Sequence, residues 1–167
     1  MLLTSEEHRA ELERFSELLS EDEYLTELAA ATEDLPYDTL VVRIETFEEP
    51  NRLWRLELSF LPGLEDELKD VSILQCYVAL ANYTAGANSA SLERLVIEVN
   101  AKLPIGSFGL LDQPGVLFFK HNAMLPNNNP TTSDRIVREL VPLTGYLVTT
   151  LSGPLIEIMT GNNSSNS

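Results

Sequence analysis

This sequence of 167 residues contains little cysteine and histidine, with one and two residues respectively. Its single cysteine, Cys76, excludes a disulfide within the chain and suits a reducing compartment. The sequence has no HExxH or CxxC motif around Cys76 or around its two histidines, His8 and His121. We therefore expect no metal site and no cofactor. A serine–histidine–acid set could use only these two histidines. We expect His8 to be solvated on an acidic helix and His121 to lie at the surface, at the end of a strand.

Long apolar runs are also absent. No stretch reaches the roughly 18 apolar residues that identify a membrane-spanning helix. The first residues lack the basic region and apolar block of a secretory signal. We therefore expect a cytoplasmic protein that does not enter a membrane.

Basic side chains are scarce, and the acidic excess is uneven. The formal net charge is -15, and residues 1–70 hold 20 acidic and 6 basic side chains, a net charge of -14. We expect no nucleic-acid partner, because nucleic-acid binding needs a basic surface, and no membrane partner, because an anionic membrane would repel this half of the chain. The acidic half favours basic or neutral partners, unless its charges only serve solubility.

The stretch 103–121, LPIGSFGLLDQPGVLFFKH, has two glycines three residues apart but no phosphate-binding pattern. A phosphate loop follows a strand and opens into a helix, whereas Gly106 and Gly109 follow a predicted helix and open into a predicted strand. No lysine or serine follows at Walker spacing. Residues 112–115 have the composition of a turn and their flanks alternate, which predicts a β-hairpin.

Helical periodicity indicates three helical regions. A capping box at 4–7 opens the first, and the same pattern at 20–23 predicts one broken helix or two short helices over 4–31. The second region ends at Pro104. The third follows an asparagine-rich loop, and we expect a kink at Pro142 because proline removes a backbone donor.

Between the first two helical regions the period changes from 3.6 to 2. Residues 39–47 and 53–60 alternate between apolar and polar side chains, which predicts an antiparallel hairpin with a turn at 48–51. Residues 71–84 are apolar on both faces. Their β-branched and aromatic content favours a strand covered on both sides over a buried helix. The second face of that strand needs a cover from the chain itself or from a partner.

Neither the acidic loop nor the cysteine predicts a reactive site. The acids at 65–70 lack the calcium-binding DxDxDG loop with its late glutamate, so we expect a solvated loop. Cys76 lies in the most apolar strand, where we expect an inert, buried side chain. No spacing singles out a catalytic pair among the 26 acids. We therefore expect that the chain is not an enzyme.

The predicted fold is α+β, in the order helix, three antiparallel strands, helix, two strands, helix. We expect one domain over 1–160 and a disordered tail over 161–167. Three features stand close together in this order: a helix that ends in NAKLP, the GSF that enters a strand, and the Asp112 turn before GVLF.

In these residues the chain resembles the YbjN-like family, proteins with the fold of class I type III secretion chaperones. The resemblance covers most of 4–150 in its topology and about 100–119 in its motifs. It implies a small α+β domain, often dimeric, that binds other proteins and carries no active site.

We interpret the chain as a non-enzymatic protein-binding module, chaperone-like or a regulatory or assembly factor, that forms a homodimer and binds a protein client. Apolar residues of the predicted hairpin are the candidates for the partner-binding patch, namely Phe108, Leu110, Leu117 and Phe119. The same four side chains could instead complete the core. Two other functions stay open: an enzyme or small-ligand-binding protein built around His121, Tyr77 and the loop 65–70, and a regulatory subunit of one larger complex.

Overall fold

A computed structural model describes residues 4–33, 36–45, 53–64, 66–82, 89–112 and 115–160. Within these ranges the fold is α+β, with four helices and six strands. Their bounds in chain order are α1 Ser5–Glu21, β1 Leu25–Ala29, β2 Thr39–Glu45, β3 Leu53–Phe60, β4 Val71–Asn82, α2 Ser89–Asn100, β5 Ser107–Asp112, β6 Gly115–Pro126, α3 Pro130–Leu151 and α4 Gly153–Thr160.

The six strands form one antiparallel sheet in the order β1-β2-β3-β4-β6-β5. The two predicted hairpins, β2 with β3 and β5 with β6, are confirmed by these pairings. In the second hairpin Asp112 lies opposite Gly115. The predicted turn at 48–51 and the tail at 161–167 lie outside the described residues.

The helices pack against one face of the sheet. α1 contacts β1, β2 and β3, α3 contacts β6, and α2 contacts β5 and α4. Side chains between the sheet and the helices form a continuous core of almost fully buried residues, among them Phe15, Leu58, Leu74, Phe119 and Val141. The strand predicted over 71–84 is confirmed over Val71–Asn82 as β4, with one face in this core, and residues 83–84 lie outside the described residues.

The chain after α1 differs from the prediction, because the helix does not continue to residue 31. The amide of Glu23 donates to the carbonyl of Ser20 at 3.1 Å, and the amide of Tyr24 donates to the carbonyl of Leu19 at 3.0 Å, which closes α1. Glu23 has a φ of 68°, in the left-handed region, and the chain then enters β1. Among the residues that the structure describes, four strands, not the predicted three, precede α2.

The sequence pattern was misleading here because a spacing of three residues fits either structure. Leu25 and Leu28 would share a helical stripe, but in β1 they point to opposite faces of the sheet. Leu25 is 65% exposed. Thr26 faces α1 instead, and its hydroxyl is hydrogen-bonded to Ser16 at 2.8 Å and to Ser20 at 3.0 Å.

Replacing Glu23 with glycine is expected to stabilise the protein. The left-handed backbone costs an L-residue about 1–2 kcal/mol, and glycine adopts it without that cost but loses more freedom on folding. The expected net gain is about 0.5–1 kcal/mol in the free energy of unfolding, measured by urea denaturation. The control, Glu17→Gly in the middle of α1, should lose about 1 kcal/mol. A loss in both variants would contradict the observed backbone at Glu23.

Asn100, the last residue of α2, closes the outer edge of β5. Its side-chain amide donates to the carbonyl of Phe108 at 2.9 Å, and its side-chain oxygen accepts from the amide of Phe108 at 2.8 Å. These two bonds occupy the backbone amide and carbonyl of Phe108, which could otherwise pair with a neighbouring strand. They protect the β5 edge against pairing with another strand.

Candidate functional site

The face of the sheet that points away from the helices is the candidate site, and we call it the open face. On β4, β5 and β6 this face carries many apolar side chains, because these strands have apolar residues on both of their faces, and it also carries the polar Gln75, Lys120 and Asn122. Met124 is 58% exposed and Leu111 is 44% exposed. The apolar members of the open face on these three strands are Ile73, Tyr77, Ala79, Leu111, Val116, Phe118 and Met124.

Two aromatic rings form the centre of this apolar region. The rings of Tyr77 and Phe118 are stacked, with their centroids 5.4 Å apart. Gly109 on β5 lies directly opposite Phe118, and a side chain at Gly109 would collide with the Phe118 ring. Burial, together with the negative charge of Glu57, raises the pKa of the Tyr77 hydroxyl above its ordinary value. The phenol therefore stays neutral at physiological pH.

Charges on the open face balance, unlike those of the whole chain. The strand registers place three acids and three bases on it, namely Glu27, Glu45, Glu57, Arg43, Arg55 and Lys120. Arg43 lies 3.9 Å from Glu27, and Arg55 lies 3.1 Å from Glu57. The open face is thus neutral in a chain whose formal net charge is -15.

One corner of this face is closed. Thr39, Val41 and Ser59 are buried although they lie on the same face as Tyr77 and Gln75. The hydroxyls of Thr39 and Ser59 are hydrogen-bonded at 2.9 Å. This corner therefore offers no accessible surface, although Leu25 on β1 and Leu53 on β3 are also exposed on the open face, at 65% and 52%.

The four residues predicted to form the partner-binding patch lie on the opposite face, toward the helices. Phe108, Leu117 and Phe119 are buried, and Leu110 is partly buried against the same core. Phe108 meets Phe119 edge to face, with centroids 5.2 Å apart. In the folded single chain these side chains complete the core, which was the alternative interpretation. Phe118, one residue from Phe119, points to the open face instead.

Both histidines differ from their predicted surroundings. His8 is partly buried: its ring stacks on Phe60 at 4.4 Å, and its Nε2 lies 3.2 Å from the Ser72 hydroxyl. The Ser72 hydroxyl donates to Oδ1 of Asn127 at 2.7 Å, so its proton points away from His8. A serine activated by a histidine has the opposite arrangement, because the histidine must accept that proton.

His121 lies in the middle of β6, opposite Cys76, rather than at a strand end. It is partly buried, and burial lowers the pKa of its imidazole below the ordinary value. Cys76 is fully buried, as predicted, and burial raises the pKa of its thiol to about 12. The Thr144 hydroxyl, 3.5 Å from the sulfur, partly offsets this effect. The thiol is therefore protonated and inaccessible.

The residues considered for an enzymatic site, His121, Tyr77 and the described acids of the loop 65–70, do not lie together. Tyr77 lies on the open face, whereas His121 points to the helix side of the sheet. Asp66, Glu67 and Asp70 of the acidic loop are exposed. Within the described ranges, no three histidine, cysteine or acidic side chains are grouped so that they could hold a metal ion.

Comparison with protein-family models and with curated proteins finds no match for this chain. The YbjN-like resemblance therefore stays a prediction. Among the helices of the described ranges, none is long and apolar enough to cross a membrane.

Proposed function

We propose that this chain is a non-enzymatic protein-binding domain, chaperone-like or regulatory, that holds a protein client on its open face. The observation that carries the proposal is the stacked Tyr77–Phe118 pair on the open face, with Leu111 exposed near it and Met124 exposed further along β6. A sheet with helices on one face needs a second layer where its other face is apolar. Contiguous exposed apolar surface typically marks a protein interface.

The chemistry of the open face indicates the kind of client. Its six charges cancel, so an apolar and nearly neutral protein surface would fit it without burying unpaired charge. Tyrosine, phenylalanine and methionine are enriched at such interfaces because they provide large contact areas. The acidic remainder of the chain would repel other acidic proteins and so limit wrong encounters.

The order of elements supports a fold like that of the type III secretion chaperones. The chain has a helix, a run of antiparallel strands, a helix, two strands and a final helical region, which is the order that the resemblance implies except for the unpredicted β1. On that resemblance we propose a YbjN-like domain that forms a homodimer. A cytoplasmic location suits the single buried thiol.

Co-purification of the untagged protein from its own cells tests the client-binding proposal. We expect a defined protein to accompany the unaltered chain and to be lost from Met124→Arg and Leu111→Arg, since each places a charge on the open face. Ile97→Arg is the matched control, because Ile97 is an exposed apolar residue, at 70%, but lies on α2. Circular dichroism and the melting temperature show whether each variant folds.

Two results would contradict the proposal. One is a folded, unaltered protein that purifies alone. The other is a client that the Ile97 variant loses as completely as the two open-face variants. The homodimer is tested separately by light scattering at tens of micromolar, where a monomer mass would contradict it.

A further inference from the structure

A second concave surface lies at the end of the sheet, away from the apolar part of the open face. There α3 passes the ends of β1 and β2 and leaves a cleft of about 690 Å³. We call it the β1–α3 cleft. Its walls are largely apolar and aromatic, formed by Tyr24, Leu25, Ile44, Pro142 and Tyr146.

The packing around the cleft explains why it keeps its shape. Gly145 brings the backbone of α3 close to β2, since a Cβ there would lie 3.0 Å from Cγ2 of Ile44. On the same side of α3, the indole nitrogen of the buried Trp54 donates to the Thr149 hydroxyl at 3.3 Å. Thr149 lines the cleft. The cleft therefore lies between α3, the ends of β1 and β2, and the turn at residues 22–24 that joins α1 to β1.

The charges in the cleft leave two carboxylates without a cation. Four charged residues that the structure describes line the cleft; of these, Asp22 is paired with Arg138 at 2.8 Å, and the one cation, Arg43, lies 3.9 Å from Glu27. Glu23 and Glu45 also line the cleft, and neither forms an ion pair with any residue of the described ranges. An occupant with a positive charge would therefore meet unpaired acidic partners.

Two aromatic rings line the same cleft. Tyr24 is partly buried, and Tyr146 is 65% exposed, which is unusual for so large a ring on a packed helix. The face of a tyrosine ring attracts cations. A planar guanidinium can stack on such a ring while its N–H groups bind carboxylates in pairs, which an ammonium cannot do.

We propose that the β1–α3 cleft binds an arginine side chain that a protein partner presents. This inference rests on the proposed function, because it assumes that the ligand is a protein. Glu23 and Glu45 accept the guanidinium hydrogen bonds, and Tyr24 and Tyr146 contact its faces. The net charge of -14 on residues 1–70 attracts basic segments toward this end of the molecule.

Trp54 is the single tryptophan of the chain, and its indole is hydrogen-bonded to Thr149 in the wall of the cleft. A change in Trp54 fluorescence can therefore report binding in the cleft. The probe is the capped tripeptide acetyl-Gly-Arg-Gly-amide, and its neutral counterpart has citrulline in place of arginine. We expect saturable binding of the arginine peptide at millimolar concentrations or below. Binding should weaken about tenfold in the Glu23→Gln, Glu45→Gln double variant and about threefold in Tyr146→Ala. The control, Glu93→Gln on α2, should bind like the unaltered chain.

Three results would overturn the inference: equal binding of the arginine and citrulline peptides, no saturable binding, or unchanged binding in the double variant. Free arginine amide that binds as tightly as the peptide would assign the cleft to a small ligand instead of a protein segment. Met124→Arg should leave peptide binding unchanged. The two proposals, arginine binding in the cleft and client binding on the open face, are thus tested by different variants.

Discussion

Phe119→Ala is expected to lower the free energy of unfolding by about 3–5 kcal/mol, the range for a fully buried phenylalanine. The Phe119 side chain is 0% exposed and packs edge to face on Phe108. Removing the ring leaves a cavity between β6 and the helices that this close-packed core cannot fill. The measurement is urea denaturation followed by circular dichroism.

Phe118→Ala is the matched control, because the same side chain is removed one residue earlier on the same strand. Phe118 lies partly exposed on the open face, so its loss should cost about 1–2 kcal/mol. The difference between the two variants measures which face of β6 is the core. Equal losses, or a larger loss at Phe118, would contradict the assignment of the faces.

Gly106→Ala is expected to be nearly as damaging, with a loss of about 2–5 kcal/mol. Gly106 has a φ of 69°, and a Cβ there would lie 2.5 Å from Cζ of Phe119 and 2.9 Å from the carbonyl oxygen of Lys120. The left-handed backbone costs about 1–2 kcal/mol for alanine, and overpacking adds about 1–3 kcal/mol. The backbone carbonyl is part of β6 and cannot move aside without breaking strand pairing.

Gly63→Ala separates these two costs. Gly63 has a φ of 83°, but no atom of the described residues lies within 4 Å of the position its Cβ would take. We expect a loss of about 1 kcal/mol, from the backbone alone. Thermal or urea unfolding compares the two alanine variants. Similar losses at both glycines would show that the close contact of Gly106 with β6 does not exist in solution.

Much of the sheet could be predicted from the sequence because its strands have a clear period. The alternation in 53–60 gives β3 directly, and the capping box at Thr4 and Glu7 is present, with the Glu7 amide 3.3 Å from the Thr4 hydroxyl. The helix before Pro104 and the hairpin around 112–115 are also confirmed. In each case local chemistry and tertiary packing favour the same structure.

β1 could not be predicted, because its signal is a backbone conformation and not a pattern of side chains. Glutamate rarely adopts a left-handed φ, so the residue type at position 23 does not predict the turn that precedes β1. Five residues are also too few to establish a period of two, and the leucine spacing fits a helix equally well.

The sequence predicts that these strands carry apolar side chains on both faces, but it does not identify the residues that lie on the open face. Strand β6 reads Leu117, Phe118, Phe119, with apolar side chains at both phases, so the sequence does not reveal which phase faces the helices. The predicted partner-binding patch included Leu117 and Phe119, but in the structure these two residues are buried and Phe118 lies on the open face. The β1–α3 cleft had no sequence signal, since its walls come from three elements distant in the chain.

The oxidation rate of Met124 measures whether a client covers the open face in the cell, because a covered methionine reacts more slowly than an exposed one. Peroxide converts exposed methionine to its sulfoxide, and Met159, partly buried on α4, serves as the internal reference. We predict that Met124 reacts rapidly in the isolated protein and several-fold more slowly in an extract of its own cells, while Met159 reacts at the same rate in both. Equal rates for Met124 in the two samples would contradict the proposal.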